Sequence, residues 1–241
     1  MRATEPDHPP TPEQAKALAV ADAKRLMRTA RTGALATFDA ENRMPLATLI
    51  GVASDWDGAP LFLMSELSRH TRNLAGDARA SLLLTTQGGR GDPLNQPRLT
   101  VGGPVAVVGD PSAKARYLRR NPKAKLYADF ADFSVRRLRI ETVHFNGGFG
   151  RADALSPSDL LVPGDVSALI AAEDGLLAFI DSLGDEKLAA LADGASSGRR
   201  AWRAVGVDAE GFELGAGASV ARVPFPAAEF EPGAWRRRVA A

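Results

Sequence analysis

The chain contains the segment Met64-Ser65-Glu66-Leu67-Ser68-Arg69-His70-Thr71-Arg72-Asn73-Leu74, which brings hydroxyl groups, two arginines and a histidine together. The apolar run at 60–64 predicts a strand before it, and a helix-like stretch at 68–77 follows. The free N–H groups and positive dipole end of a helix's first turn attract anions. Arginine adds a fork of donors that fits phosphate oxygens. The segment therefore predicts a phosphate site, although a helix start with solvated charges gives the same pattern.

The composition of the 241-residue chain bounds the class of protein. Hydrophobic residues make up 45% and charged residues 24%, which predicts an ordinary globular core. The formal net charge of +1 gives no reason to expect nucleic acid or an anionic membrane as a partner. Because there is no cysteine, disulfides, thiolate catalysis and zinc-thiolate sites are excluded. No apolar run reaches the roughly 20 residues that span a bilayer, so we expect a soluble, cytoplasmic protein.

The order of predicted elements indicates the fold. Residues 1–12 are expected to be a disordered lead, and Thr11 with Gln14 predicts a capping box for a first helix that runs to about residue 31. Strands joined by turns, with helices inserted among them, are typical of an antiparallel barrel. The strands are predicted at 33–38, 45–54, 61–64, 79–86, 98–108 and 136–145, and the inserted helices at 68–77, 112–120 and 122–131.

A smaller unit is predicted after the barrel. Residues 156–163 have the composition of a linker. The chain after it predicts helices at 165–183 and 185–192, a strand meander at 201–223 and a last helix at 227–239. We therefore expect a barrel domain at 13–155 and a C-terminal α+β domain at 165–241.

Several short motifs lie in an order and at a spacing that one superfamily shares. They are Gly33-Ala-Leu-Ala-Thr37, Met44-Pro45, the opening segment, Arg98-Leu-Thr-Val-Gly-Gly103, Asn121-Pro122 and Gly147-Gly-Phe-Gly-Arg-Ala152. In this order they resemble the FMN-binding split-barrel superfamily of pyridoxamine 5'-phosphate oxidase. The pattern is most similar to the branch of haem-utilisation proteins, in which a small C-terminal α+β domain follows the barrel.

The resemblance implies a cofactor and the residues that hold it. In the oxidase family the segment after the third strand binds the FMN phosphate, and the matching residues here are Ser68, Arg69 and His70. Ser65 matches a threonine that lies near the flavin, and Thr48 stands where the oxidase has a cofactor-binding arginine. The resemblance also implies a homodimer that holds the flavin in a groove between its subunits.

The residues leave three functional hypotheses open. The first is an FMN-binding protein, a flavin-dependent oxidoreductase for an unidentified small molecule, in which the cofactor does the chemistry because no catalytic residue stands out. The second is a haem-binding or haem-degrading utilisation protein. Residues 171–175 and 231–241 lack the histidine expected in that branch, which leaves His70 or His144 as the iron ligand. The third is a cofactor-free dimeric interaction module.

Other residues predict structure rather than chemistry. His144 lies on a predicted strand, which favours a packed or hydrogen-bonded histidine. Arg98 begins a strand and either faces the cofactor groove or pairs with a nearby acid. A three-residue spacing predicts a core stripe for Tyr127, Phe130 and Phe133.

Overall fold

The structure, a computed structural model, describes residues 11–86, 92–148, 152–192 and 201–240. Most of the predicted lead, residues 1–10, lies outside the described residues. Parts of the predicted loop at 87–97 and of the glycine motif at 147–152, and all of the predicted break at 194–198, also lie outside them.

The first helix, α1 (Pro12–Thr29), begins with the predicted capping box. The N–H of Gln14 donates to Thr11 Oγ1 at 3.3 Å, and the N–H of Thr11 donates to Gln14 Oε1 at 3.0 Å.

None of the helices in the described ranges is long and apolar enough to cross a membrane. The helices are α1 Pro12–Thr29, α2 Arg69–Gly76, α3 Pro111–Arg120, α4 Pro157–Leu160, α5 Ser167–Asp181, α6 Asp185–Leu191 and α7 Pro232–Ala240.

A large antiparallel sheet forms the first part of the chain. Its strands are β1 Thr32–Asp39, β2 Met44–Gly51, β3 Ala53–Ser54, β4 Pro60–Ser65, β5 Arg79–Thr85, β6 Arg98–Val107, β7 Phe133–Leu138, β8 Thr142–Asn146 and β9 Ala152–Asp153. The strand order is β2-β1-β5-β6-β7-β4-β3, and β8 pairs with both β6 and β9. Strand β6 therefore belongs to two parts of the sheet.

The break between β7 and β8 corrects the prediction of one strand at 136–145. The first half of β6 pairs with β8 and the second half pairs with β7. Between them the N–H of Arg139 donates to the Pro104 carbonyl at 2.9 Å, and the N–H of Glu141 donates to the Gly102 carbonyl at 2.8 Å. A Cβ at Gly103 would lie only 1.9 Å from the Arg139 carbonyl oxygen. The chain can therefore cross β6 at this point only because residue 103 is glycine.

Three other predicted elements differ in extent. The strand predicted at 45–54 is two strands, because β2 ends at Gly51 and pairs with β1, whereas β3 begins at Ala53 and pairs with β4. The helix predicted at 122–131 is a 3-10 turn, Pro122–Leu126. The last helix begins at Pro232 rather than at residue 227, since proline is favoured in the first turn of a helix.

The sheet curls around an apolar interior. Helix α1 contributes Ala23 and Met27 to this interior, and the strands contribute side chains such as Leu35, Phe62 and Leu99. Strands β2 and β4, which stand near opposite ends of the strand order, lie close together without pairing. We call the gap between β2 and β4 the split. A second apolar cluster lies on the outer side of β4 and β7, under α3.

A smaller sheet follows, with strands β10 Arg203–Asp208, β11 Gly211–Ala216 and β12 Ser219–Pro224 in the predicted antiparallel meander. Its own core surrounds Trp235, whose ring packs against Phe212 and Phe225. The predicted fold class, a split barrel with inserted helices followed by a small α+β unit, is confirmed. The boundaries at 155 and 165 stay a prediction; Leu160 packs in the barrel core and Val162 in the second core.

A buried ionic cluster joins the two cores. Arg116 of α3 donates to the Ser54 carbonyl at 2.6 Å, to Glu173 at 2.5 Å and to the Val207 carbonyl at 2.8 Å. Arg28 of α1 lies 3.4 Å from Asp208, which also binds Arg222. Burial alone would raise the pKa of the Asp208 carboxyl, but the charges of Arg222 and Arg28 hold it well below its usual range.

Arg116→Met should lower the free energy of unfolding by about 3 kcal/mol or more, because it removes one partner from a buried ionic network. The matched control is Arg79→Met, whose side chain is 81% exposed and pairs with Asp77 two residues away. The control should lower the free energy of unfolding much less, because water screens an ion pair at the surface. Urea denaturation measures both, and equal losses would refute a central role for Arg116.

Candidate functional site

The opening segment lies where β4 ends and α2 begins. The Ser65 hydroxyl donates to the Asp132 carboxylate and accepts the N–H of Leu67 at 3.1 Å, which holds the turn between strand and helix. Ser68 has the extended backbone of an N-cap, with φ −71° and ψ 141°, yet its side chain makes no cap hydrogen bond. The predicted strand-to-helix junction is therefore present, and the Ser68 hydroxyl does not cap the helix.

His70 reaches from α2 to the opposite side of the split. Its Nδ1 lies 3.1 Å from Thr48 Oγ1 on β2. The Thr48 hydroxyl also lies 3.5 Å from the Leu35 carbonyl, a long but compatible acceptor. If the hydroxyl donates to that carbonyl, it accepts the Nδ1 proton of His70, and the lone pair of the imidazole is on Nε2.

The surroundings of His70 favour its neutral form. Partial burial lowers the pKa of His70, and the positive charge of Arg136 lowers it further. A neutral imidazole with one nitrogen held by a hydroxyl is the form that ligates a metal, whereas a phosphate ligand favours the protonated form.

Arg69 forms ion pairs with two carboxylates. Its Nη2 lies 2.8 Å from Asp39 Oδ2 and 2.8 Å from Glu41 Oε2, at the turn between β1 and β2. Burial tends to raise the pKa of Asp39, but hydrogen bonds from the backbone and the charge of Arg69 lower it below its usual range. A phosphate at Arg69 would have to compete with two negative charges.

The structure brings together two of the five predicted residues. Thr48 and His70 touch, while Ser65 turns to Asp132 and Arg69 turns to the β1–β2 turn. The Ser68 side chain makes no cap hydrogen bond.

Sequence reasoning missed Arg136 as a residue of this site, because β7 is distant in sequence and lies near His70 only through the sheet order. An arginine between two buried apolar positions, Val135 and Leu138, was the available signal.

An exposed apolar surface adjoins the segment and corrects the predicted core stripe. Phe130 is 60% exposed and Tyr127 39%, so neither is a core residue. The N–H of Glu66 donates to the Asp132 carbonyl at 2.8 Å, which brings the 126–133 region beside Leu67, itself 75% exposed.

The two remaining candidates lie on the other side of the sheet. Arg98 Nη1 donates to the Leu94 carbonyl at 2.8 Å rather than to an acid. His144 is opposite Thr100 in the β6–β8 ladder and is exposed, so of the two predicted roles, packed or hydrogen-bonded, packing is wrong. On β8 the buried residue is the neighbouring Phe145, because side chains alternate along a strand.

Two cavities lie away from these residues. Cavities of about 410 Å³ and 400 Å³ flank α1 where it faces β12, and both are lined by Arg25 and Arg222. None of the five predicted site residues lines either cavity.

The pKa of His70 in the free protein should lie below 6.5, because both burial and Arg136 disfavour the imidazolium. Arg136→Met should raise it by removing a positive charge, whereas Arg139→Met, which alters a side chain that is 70% exposed, should leave it unchanged. NMR titration of the imidazole signals measures all three proteins. A pKa above 6.5, or one insensitive to Arg136, would contradict the described geometry.

Comparison with known proteins agrees with this fold. A chloroplastic protein of Arabidopsis thaliana named non-canonical heme oxygenase HOZ is 30% identical over 126 residues, which are 50% of this chain and 37% of that protein. The match therefore spans well under half of that relative's length.

Two solved structures match nearly the whole chain. A protein of unknown function from Agrobacterium tumefaciens is 35% identical, with 97% of this chain and 99% of that chain covered and a TM-score of 0.81. A heme binding protein from Mycobacterium smegmatis is 26% identical, with 97% and 96% covered and a TM-score of 0.57.

The family model described as CREG, beta-barrel matches residues 13–161, which include every strand of the large sheet. The predicted resemblance to the split-barrel superfamily and to its haem-utilisation branch is confirmed by this match and by the relatives named above. More than half of the chain is matched, and the chain therefore belongs to the CREG β-barrel family.

Proposed function

We propose that this protein binds haem beside the split, and that Nε2 of His70 would hold the iron. The observation that carries the proposal is the contact of 3.1 Å between His70 Nδ1 and Thr48 Oγ1. A hydroxyl on one ring nitrogen fixes the orientation of the imidazole and leaves the other nitrogen to bind iron. The lowered pKa of His70 supports the same role, since a ligating imidazole must be neutral.

Other residues of the site suit a large apolar macrocycle. Leu67, which comes three residues before His70 and is exposed, offers an apolar side chain against which a porphyrin would pack. Bound haem would supply a redox-active iron for oxidative chemistry. The residues of this chain would orient the group and exclude water from one side of it. The names of the Arabidopsis and Mycobacterium relatives support haem as the ligand.

The second candidate function is the flavin-dependent oxidoreductase that the sequence favoured. One observation supports it: the Ser68 hydroxyl makes no cap hydrogen bond, so the first turn of α2 retains donors for a phosphate. The carboxylates of Asp39 and Glu41 at Arg69 weigh against it, because they repel a second anion. Haem binding is therefore the function that the geometry supports best.

The purified protein should give a Soret band on addition of haemin. His70→Ala should abolish the ligand-dependent shift of that band, and Thr48→Val should weaken haemin binding about 10- to 100-fold, the usual cost of losing a partner that orients a ligand. His144→Ala is the matched control and should change nothing, because His144 lies on the other side of the sheet. Absorption titration measures each variant.

The same titration with FMN separates the alternatives. A quenched flavin spectrum with no haemin response would place the flavin-dependent function first. An unchanged spectrum with both cofactors would refute haem and FMN and favour the cofactor-free interaction module. A shift of the Soret band that survives His70→Ala would refute the assigned ligand.

We also propose that the chain forms a homodimer through the outer face of β2, β1 and β5. In register along this face, Ala34 lies between Leu49 and Leu83, and Ala36 lies beside Ala47. Leu49 is 77% exposed and Leu83 38%. Contiguous exposed apolar side chains on a sheet are typical of an interface, and a twofold axis would bury the face against its own copy. The resemblance to dimeric split barrels supports this proposal.

Leu49→Glu should convert the dimer into a monomer, because it would bury an unpaired charge in the interface. Leu126→Glu is the control, since Leu126 is 81% exposed and lies outside this face. Size-exclusion chromatography with light scattering gives the mass. A monomeric native protein, or a dimer that tolerates Leu49→Glu, would contradict the proposal.

A further inference from the structure

Three arginines of the β7 region have very different partners. Arg137 pairs with Asp55 at 2.8 Å and also with Asp57, and Arg139 pairs with Glu141 at 2.6 Å. Arg136 makes no ion pair with any residue in the described ranges, and its Nε is buried without a hydrogen-bond partner there. A partly buried cation with no anion beside it is costly, which points to an anion supplied from outside the chain.

The position of Arg136 directs it toward the candidate site. In the β4–β7 ladder Arg136 is opposite Phe62 and Ser134 is opposite Met64. Phe62 and Met64 belong to the barrel core, so Arg136 and Ser134 are on the inner face of the sheet. The positive charge of Arg136 also lowers the pKa of His70, which reaches over the split from α2.

Ser134 adds a second unused group on the same face. Its Oγ is buried and, within the described part of the chain, lacks a hydrogen-bond partner. A buried hydroxyl without a partner is uncommon and calls for a ligand or a water. Arginine offers a planar fork of N–H donors, and the serine hydroxyl offers one more. This donor set matches the oxygens of a carboxylate or a phosphate.

We infer that Arg136, assisted by Ser134, binds the acidic group of the cofactor and thereby sets its orientation beside His70. The inference rests on the proposed function, in which a cofactor lies at this site. The acidic group is a propionate if the cofactor is haem and the phosphate if it is FMN. In either case the recognised chemistry is a planar or tetrahedral oxyanion.

The test compares each cofactor with its uncharged analogue. Arg136→Met should weaken haemin binding about 10-fold or more, as expected for a charge-assisted hydrogen bond, and should leave haemin dimethyl ester binding unchanged. If FMN is the ligand, the same variant should weaken FMN and leave riboflavin unchanged. Arg139→Met, at an exposed arginine of the same region, should alter neither pair. Equal effects on the acid and its analogue, or no effect on either, would overturn the inference.

A second test uses the unmodified protein without a cofactor. It therefore does not depend on whether a variant folds or on whether a cofactor binds. Sodium propionate and inorganic phosphate are titrated while the Nε–H signals of Arg136 and Arg139 are followed by NMR. A saturable shift confined to Arg136 supports an anion site, and no shift with either anion refutes it. If the native protein binds neither haemin nor FMN, the proposed function fails, and this titration alone decides whether Arg136 binds anions.

Discussion

The Arg139 carbonyl passes close to Gly103, and this crossing divides β6 between two parts of the sheet. No side chain larger than hydrogen fits there, since a Cβ would stand 1.9 Å from the carbonyl oxygen. The crossing sends β7 to pair with β4 and β8 to pair with β9, so β6 serves both parts of the sheet. The split depends on this arrangement, because β4 and β7 are carried round until they face β2. The candidate site exists only where those strands meet.

The ionic cluster under α3 performs a different task, which is to fix the C-terminal unit against the barrel. The side chain of Arg116 makes three of these contacts, to the carbonyls of Ser54 and Val207 and to the carboxylate of Glu173. Buried charges are costly to desolvate, and they stabilise a fold only when their hydrogen bonds are nearly all satisfied. Arg120 shows the cost: burial lowers its pKa to about 10, and one of its nitrogens has no partner in the described residues. The cluster therefore favours one relative placement of the two cores over others.

Contacts made in the fold change the roles that the sequence motif predicts for Arg69 and His70. In sequence, Arg69 and His70 form a pair of cations beside a serine, which is typical of a phosphate site. In the fold, Arg69 pairs with carboxylates of the β1–β2 turn, while His70 lies beside Thr48 and its pKa is lowered by burial and by the charge of Arg136. Within the described residues, Arg136 of β7 pairs with no carboxylate, whereas Arg69 of the motif pairs with two. Resemblance to a phosphate-binding family and geometry suited to a metal-ligating histidine can therefore coexist in one segment.

The sequence by itself determined the local elements and the fold class. The capping box at Thr11, the strand-to-helix junction at Ser68 and the three-stranded meander are encoded by residues within a few positions of one another. It also pointed to Thr48 and His70 as candidate site residues, through the resemblance to the superfamily. Tertiary structure alone decided where the strand at 136–145 breaks, because the cause is a glycine on the neighbouring strand β6. Tertiary structure also decided which arginines of the site pair with carboxylates. Charges that are distant in sequence come together only when the sheet closes, and no local pattern records that pairing.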